Sequence, residues 1–203
     1  MKLVYFANPM CSWCWGFAPV IQKIKESKFV ENISLILTPF RIDTTQPMDD
    51  ELRNYILGQW HKVHQTTSQP FDFSFAMPAG FIYNTRLVCL AIKSFKKQIP
   101  ELEFKYLHAL QQAYYTENLD LTNQEMLINI ANSFSVDNEL FIRDLNNKNI
   151  TEELEEDFSF CQHLNVQSYP TLMYEKFDSY AILSSGYTAY DELLTRIEVV
   201  LDS

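Results

Sequence analysis

The stretch Asn8-Pro9-Met10-Cys11-Ser12-Trp13-Cys14 contains two cysteines with two residues between them. The β-rich run Lys2–Ala7 precedes it, and a helical pattern follows from about Ser12 to Ser27. Cysteines at this spacing lie within disulfide range in the first turn of a helix. The unpaired N–H groups of a helix start favour the thiolate of the first cysteine, which is the attacking species. The motif therefore predicts a redox pair.

The elements that follow the motif predict a β-α-β opening and a long helical block. The apolar, β-branched run Asn32–Phe40 predicts a second strand, parallel to the first. The strand signal then disappears for more than a hundred residues. Thr122 and Glu125 fit a capping box inside this block. Amphipathic patterns predict helices at Asp49–Thr66, Asn84–Gln98, Pro100–Thr116, Thr122–Phe134, Asp137–Leu145 and Thr151–Leu164.

Strand signals return near the C-terminal end of the chain. The order β-α-β, helical block, β-β-α predicts an α/β protein with a thioredoxin-like fold that carries an α-helical insertion. Residues 1–45 and 150–203 are expected to form the thioredoxin-like domain, and residues 46–149 the insertion. Strands are predicted at Thr171–Phe177 and Tyr180–Ser184, joined into a hairpin by a turn at Asp178-Ser179. A last helix is predicted at Tyr190–Leu201.

Two other interpretations of the cysteine pair compete with redox chemistry. The pair could form half of a zinc site, but such a site needs two more ligands, and Cys89 and Cys161 lie 72 residues apart. His61 and His64 lie on a predicted helix and are expected at the surface. The pair could also be packed and unreactive. We favour redox chemistry with no metal, and expect Cys89 and Cys161 to be buried as small apolar side chains, with a redox role for Cys161 as the alternative.

The segment Ser168-Tyr169-Pro170-Thr171 opens the predicted hairpin. A proline there can simply mark the start of a strand, because it donates no ladder hydrogen bond. In a thioredoxin-type fold the Tyr169–Pro170 bond is expected to be cis and to lie against the cysteine pair. The backbone of Tyr169 is then free to pair with an extended substrate.

Three segments carry a resemblance to a known family. Residues 8–17 resemble the active site of DsbA-family thiol-disulfide oxidoreductases, in particular the cytosolic group described as predicted protein-disulfide isomerases. Residues 112–121 are similar to a segment of that family's helical insertion, and residues 169–171 to its cis-proline loop. The resemblance covers essentially the whole chain, and it implies a DsbA-like fold.

The resemblance also implies roles for single residues. Cys11 is expected to attack a substrate disulfide, and Cys14 to resolve the mixed disulfide that forms. Trp13, Tyr169 and Pro170 are expected to bind the substrate, with Trp13 and Trp15 forming an apolar rim around the sulfur. The implied partners are protein or small-molecule thiols and disulfides. No cofactor is expected beyond the redox-active disulfide itself, with glutathione open as a co-substrate.

Departures from the family pattern leave two rival functions open. Periplasmic DsbA proteins carry Pro-His between the cysteines, whereas Ser12 and Trp13 supply no cation here, so a less oxidising disulfide is expected. The related kappa-class glutathione transferases and hydroxychromene-carboxylate isomerases usually have serine at the position of Cys11. A glutathione-using isomerase or transferase is therefore one rival. The other is a non-catalytic, DsbA-like adaptor that delivers a regulator to a protease.

Composition narrows the classes of partner. The net charge of −10 is unfavourable for binding nucleic acid or an anionic membrane. Residues 1–100 carry 11 basic and 7 acidic side chains, whereas residues 101–203 carry 5 and 19. Residues 3–22 are uncharged, but polar residues and prolines interrupt them, so neither a membrane span nor a signal peptide is predicted. We therefore expect a cytoplasmic protein.

Two further segments have patterns that fit more than one role. An acidic run in the helix that precedes the proline loop is expected to be a solvated helix face. The aromatic-rich residues 71–83 are expected either to line a cleft between the two parts or to fill the core. The acidic run consists of Glu152, Glu153, Glu155, Glu156 and Asp157.

The absence of a cation between the cysteines predicts a low reduction potential for the Cys11–Cys14 pair. Only the helix start stabilises the Cys11 thiolate, so the potential is expected below the roughly −120 mV of DsbA, near the roughly −180 to −270 mV of disulfide isomerase and thioredoxin. Trp13→His is expected to raise it by tens of millivolts, since each pKa unit corresponds to about 30 mV. Titration with glutathione measures both values. A potential at or above that of DsbA would contradict both the predicted potential and the cytoplasmic assignment.

Overall fold

The computed structural model describes residues 1–177 and 179–202, which form a four-stranded sheet and eight α-helices. Asp178, half of the predicted Asp178-Ser179 turn, lies outside the described residues. A 3₁₀ turn at Pro100–Leu102 precedes α4. The elements are β1 (Lys2–Ala7), α1 (Ser12–Lys25), β2 (Asn32–Leu37), α2 (Asp50–Thr67), α3 (Arg86–Gln98), α4 (Glu103–Thr116), α5 (Gln124–Asn132), α6 (Asn138–Leu145), α7 (Lys148–His163), β3 (Thr171–Lys176), β4 (Ser179–Ser185) and α8 (Tyr190–Leu201).

The strands are arranged in the order β2-β1-β3-β4. β1 pairs with β2 in parallel, from Lys2 opposite Asn32 to Ala7 opposite Leu37. β3 is antiparallel to β1 and to β4. The predicted α/β class, with its parallel opening pair and its closing hairpin, is confirmed. The C-terminal ends of β1 and β2 therefore meet at one edge of the sheet, where the cysteine motif begins.

β1 is one of the two inner strands of the sheet, and both of its faces are apolar. Leu3, Tyr5 and Ala7 belong to the main core cluster, whereas Val4 and Phe6 pack in a second cluster on the other face of the sheet. Side chains of a strand alternate between the two faces, so a strand buried on both sides has an uninterrupted apolar sequence. Residues 3–7 form such an uninterrupted apolar run, which is why the sequence predicted a buried strand there.

The starts of α5 and α7 differ from the sequence expectation because an asparagine that the pattern did not single out makes each cap. The α5 cap is Asn123, whose side chain accepts a hydrogen bond from the Glu125 N–H, while Thr122 hydrogen-bonds to the Asp120 carboxylate. The predicted capping box of Thr122 and Glu125 is therefore wrong. α7 begins at Lys148 rather than Thr151, because the side chain of Asn147 caps it.

The aromatic segment of residues 71–83 fills the core. Phe75, Phe81 and Tyr83 are buried in the main cluster, and the Phe75 ring packs edge-on against Trp60 of α2 at 4.6 Å between ring centroids. Tyr114 of α4 contacts the same indole at 5.8 Å. Of the two roles that the sequence left open, the structure favours core packing. In the described part of the chain, no helix has both the length and the apolar character needed to cross a membrane.

Asp157 is an exception in the acidic run of α7. Its side chain is buried, whereas a solvated position was expected, and it accepts hydrogen bonds from the Leu37 backbone N–H at 2.9 Å and from Lys93 Nζ at 2.6 Å. Burial raises the pKa of this carboxyl, and the Lys93 charge opposes that shift. The pair joins α3 and α7 to the end of β2.

Removal of one partner of this buried pair is expected to destabilise the protein. Asp157→Ala leaves the Lys93 charge buried without a partner, so the free energy of unfolding should fall by about 3–5 kcal/mol. Denaturant unfolding measures the change. The control is Glu152→Ala, which breaks the exposed α7 pair with Lys148 and should cost less than about 1 kcal/mol. Equal effects of the two substitutions would contradict the anchoring role of Asp157.

Candidate active site

Cys11 occupies the N-cap position of α1, directly after the end of β1. Its backbone is extended (φ −92°, ψ 115°), its N–H donates to the carbonyl of Asn8 at 3.1 Å, and its carbonyl accepts the first helical bond, from Trp15 N–H. The thiol therefore lies at the positive end of the helix, as the motif predicted. Cys11 is 7% exposed and Cys14, one turn further on, is fully buried.

The buried side chain of Asn8 fixes the loop before Cys11. Its Oδ1 accepts the Met10 N–H at 3.0 Å, and its Nδ2 donates to the Thr38 carbonyl at 3.1 Å and to Thr85 Oγ1 at 3.0 Å. The amide thus ties the motif to the end of β2 and to the start of α3. The sequence placed Asn8 within the cysteine motif but assigned it no structural role. Its place beside Pro9 and the motif was the signal available, but its partners lie 30 and 77 residues away.

Tyr83 fixes the same loop from the other side. Its buried hydroxyl donates a hydrogen bond to the Met10 carbonyl. Burial raises the pKa of this phenol, and the neighbouring Cys11 adds to the increase, so the hydroxyl stays protonated and keeps its donor role. Sequence reasoning placed Tyr83 only within an aromatic-rich segment and missed this contact.

The two cysteines are free thiols with opposite electrostatic environments. A hydrogen bond from the Cys14 thiol lowers the pKa of Cys11, and the backbone N–H groups of Cys14 and Trp13 assist, while burial opposes the decrease. Burial raises the pKa of Cys14 well above its ordinary value, and the bond with Cys11 raises it further. The arrangement therefore favours a thiolate on Cys11 and a retained proton on Cys14.

The proline loop lies against the first cysteine. The Tyr169–Pro170 peptide bond is cis, and Cys11 Sγ contacts the Tyr169 carbonyl oxygen at 3.7 Å. Pro170 is buried, whereas Tyr169 is partly exposed. The Pro170 carbonyl accepts the Gly186 N–H at 2.7 Å, which ties the loop to the end of β4. The structure thus brings together Cys11 and Tyr169, residues 158 positions apart in the sequence.

The two tryptophans of the motif take different places. Trp13 is partly exposed, and its indole N–H donates to Gln59 Oε1 at 3.4 Å, so it lies at the rim of the site. Trp15 is only 3% exposed, donates to the Pro70 carbonyl at 2.9 Å and stacks on Tyr115. Residues two apart on a helix point to opposite sides, so both could not face the sulfur. The expectation that Trp15 lines the rim is wrong.

The other two cysteines lie away from solvent. Cys89 is fully buried and accepts a weak hydrogen bond from Asn8 Nδ2 at 3.5 Å. Cys161 is 1% exposed and its Sγ contacts the Leu37 carbonyl at 3.8 Å. Burial raises the pKa of each thiol to about 12. Both are therefore protonated, apolar packing groups, as the sequence indicated.

The histidine pair of α2 contacts aromatic rings. His61 stacks on Phe73 with 4.1 Å between ring centroids, and His64 packs edge-on against the same ring. His64 Nδ1 also hydrogen-bonds with the Gln69 carbonyl at 2.7 Å. Over residues 1–177 and 179–202, no three or more His, Cys, Asp or Glu side chains are grouped so that they could hold a metal ion.

The chain is similar to known redox proteins in sequence and in structure. A family model described as Thioredoxin matches residues 5–194. A candidate protein disulfide isomerase from Nitrosomonas europaea superposes with a TM-score of 0.92 at 30% identity, over 99% of this chain and 97% of that one. The cytosolic disulfide reductase DsbM from Pseudomonas aeruginosa gives a TM-score of 0.82 at 19% identity, over 100% and 99% of the two chains. DsbM has also been solved with glutathione.

Curated relatives have a different description. The ClpXP adapter protein SpxH of Bacillus subtilis is 23% identical over 179 residues, which are 86% of this chain and 58% of that protein. The SpxH of Halalkalibacterium halodurans is 21% identical over 210 residues, which are 99% and 68% of the two proteins. The chain thus spans less than two thirds of the length of the Bacillus subtilis adapter.

The environments of the four cysteines predict their order of alkylation. Cys11 is expected to react first with iodoacetamide, because its lowered pKa gives it a thiolate at a pH where ordinary cysteines are protonated. Its rate should rise with pH through a midpoint below that of an ordinary cysteine. Mass mapping of the alkylated peptides identifies the order. First reaction at Cys14, Cys89 or Cys161 would contradict the assignment of Cys11 as the nucleophile.

Proposed function

Because this chain belongs to the thioredoxin family and has the fold of DsbA-like oxidoreductases, we propose that it is a cytoplasmic thiol-disulfide oxidoreductase acting as a reductase or isomerase. One observation carries the proposal. The thiol of Cys11 lies at the start of α1, 3.7 Å from the Tyr169 carbonyl, with the protonated Cys14 thiol as its hydrogen-bond donor. This arrangement contains a nucleophile, a resolving thiol and a backbone acceptor for a substrate.

The reaction uses both cysteines in turn. The Cys11 thiolate attacks one sulfur of a substrate disulfide, the substrate S–S bond breaks, and the first substrate sulfur leaves as a thiolate that takes up a proton. Cys14 then loses its proton and attacks the Cys11 sulfur of the mixed disulfide. The second substrate thiol leaves, and a Cys11–Cys14 disulfide remains. Two electrons have passed from the protein dithiol to the substrate.

The residues around Cys11 explain how a substrate is held. Extended backbone of a substrate next to the cysteines can pair with the backbone of the partly exposed Tyr169, as in strand addition. Trp13 offers an apolar surface at the rim, and Pro170 holds the loop between Cys11 and β3. These side chains bind and orient the substrate, while the chemistry remains with the two sulfurs.

The direction of the reaction follows from the weak stabilisation of the thiolate. Hydrogen bonds and the helix start lower the pKa of Cys11, but no cation lies between the cysteines. A pair of this kind is mostly reduced in a cytosolic glutathione pool, so it donates electrons to substrates. Two molecules of glutathione supply the two electrons that restore the dithiol, and become glutathione disulfide. The glutathione complex of the structurally similar DsbM supports this choice of reductant.

The curated relatives favour a second candidate function, that of a ClpXP adapter. An adapter works by binding, so its function would not require the sulfurs of Cys11 and Cys14. The site geometry favours the oxidoreductase, because an adapter has no need of a helix-start thiol with a lowered pKa. Both functions can be separated with variants that lack the cysteines.

Cysteine variants test the proposed function. Cys11→Ser is expected to reduce glutathione-dependent insulin reduction to the uncatalysed background, and Cys14→Ser to accumulate a mixed disulfide with glutathione that mass spectrometry detects. Cys161→Ala is the matched control, because it removes a buried thiol of the second core cluster that makes no contact with Asn8, and it should leave the activity in place. Thermal unfolding shows whether each variant is folded.

The double variant Cys11→Ser/Cys14→Ser tests the oxidoreductase, and binding of the unmodified protein to ClpXP tests the adapter. The oxidoreductase loses its activity in this variant. Insulin reduction that persists in the folded double variant would contradict the proposal. An unmodified protein that binds purified Bacillus subtilis ClpXP and shows no exchange activity would establish the adapter function instead.

A further inference from the structure

Arg41 differs from the other arginines of the chain in its partners. Across residues 1–177 and 179–202, four of the five arginines donate to a carboxylate or a backbone carbonyl, whereas Arg41 has neither partner, and its Nε is buried without an acceptor. A buried donor without an acceptor costs about 1–3 kcal/mol. The four paired arginines are Arg53, Arg86, Arg143 and Arg196.

Two aromatic residues connect Arg41 to the segments that surround Cys11. It follows β2 at the sheet edge where β1 leads into Cys11, and ligands of α/β proteins bind outside this end of parallel strands. Its guanidinium lies 5.0 Å from the ring centroid of Tyr83, whose hydroxyl binds the residue before Cys11. It lies 5.6 Å from the ring of Phe40, which contacts Tyr169 edge-on at 6.5 Å.

The electrostatics support this placement. Burial raises the pKa of the Tyr83 phenol, Cys11 raises it further, and Arg41 lowers it. Tyr83 therefore lies within the electrostatic range of both the nucleophile and the guanidinium.

We infer that Arg41 binds a carboxylate of the substrate, so that the preferred substrates are small anionic thiols and disulfides of the glutathione type. A guanidinium presents paired donors that match a carboxylate, and stacking on two aromatic rings fixes its direction. The chain has 26 acidic residues, yet in the described part none of them pairs with this arginine. The inference rests on the proposed thiol-disulfide exchange, and it specifies which disulfides take part.

Arg41 takes part in the exchange of the Cys11–Cys14 dithiol with glutathione disulfide. The Cys11 thiolate attacks one glutathione sulfur, one glutathione leaves as a thiolate and is protonated, and a Cys11–glutathione mixed disulfide forms. Cys14 loses its proton, attacks Cys11 and releases the second glutathione, so two electrons pass from the protein to the disulfide. In both steps Arg41 holds a glutathione carboxylate and touches no reacting atom. It is a specificity residue.

Two disulfides that differ in charge test the inference. The reduced protein is mixed with glutathione disulfide, which is anionic, or with bis(2-hydroxyethyl) disulfide, which is neutral, and the exchange rates are followed by rapid quenching and mass spectrometry. Arg41→Met is expected to slow exchange with glutathione disulfide about tenfold and to leave exchange with the neutral disulfide unchanged within about twofold. Arg41→Lys should give an intermediate rate, because it keeps the charge and loses the paired donors.

Arg143→Met is the matched control. It removes one positive charge from α6 at a side chain 65% exposed, and it should leave both rates unchanged. If Arg41→Met slows exchange with both disulfides equally, Arg41 acts on Cys11 itself. If exchange with glutathione disulfide is unchanged, Arg41 binds no carboxylate. Either result overturns this inference and leaves the proposed function standing. An unmodified protein that exchanges with neither disulfide would remove the proposed function, and the inference with it.

Discussion

The amide side chain of Asn8 is the contact on which the active site depends. It is fully buried at the end of the inner strand β1, and it bonds at the same time to the motif loop, to the end of β2 and to the start of α3. A buried amide has to satisfy its donors and its acceptor, so these segments keep one arrangement. The position of Cys11 at the helix start follows from that arrangement, because the backbone carbonyl of Asn8 accepts a hydrogen bond from the backbone N–H of Cys11.

The helix start resolves a conflict between burial and reactivity. Both cysteines are shielded from water, and burial alone would raise the pKa of both thiols. Cys11 escapes this effect because three donors point at its sulfur: the Cys14 thiol and the backbone N–H groups of Cys14 and Trp13. Burial raises the pKa of Cys14, and the same hydrogen bond raises it further, so the proton stays on Cys14. One shared contact therefore makes the first thiol nucleophilic and holds the second in reserve.

The features that depend on local sequence pattern could be predicted from the sequence. The strand before Cys11, the parallel pair and the closing hairpin follow from apolar runs, and the spacing of Cys11 and Cys14 identifies their helix start. Features that depend on partners distant in the sequence could not be predicted. The burial of Asp157 depends on Lys93, 64 residues earlier, and an acidic run by itself predicts only a solvated face. Neighbouring residues with similar cap preferences, Thr122 and Asn123, cannot be separated without the structure.

The uneven charge of the chain also has its explanation in the fold. Basic residues of α3 pair with acidic residues of the second half, as in Arg86 with Glu155 and Lys97 with Glu153. Four of the eleven basic side chains of residues 1–100 are paired in this way, so part of the charge asymmetry is neutralised within the molecule. Arg41 belongs to the same positive half but lies outside this pairing, at the sheet edge that carries Cys11. Its charge therefore remains available to a ligand at the place where the chemistry occurs.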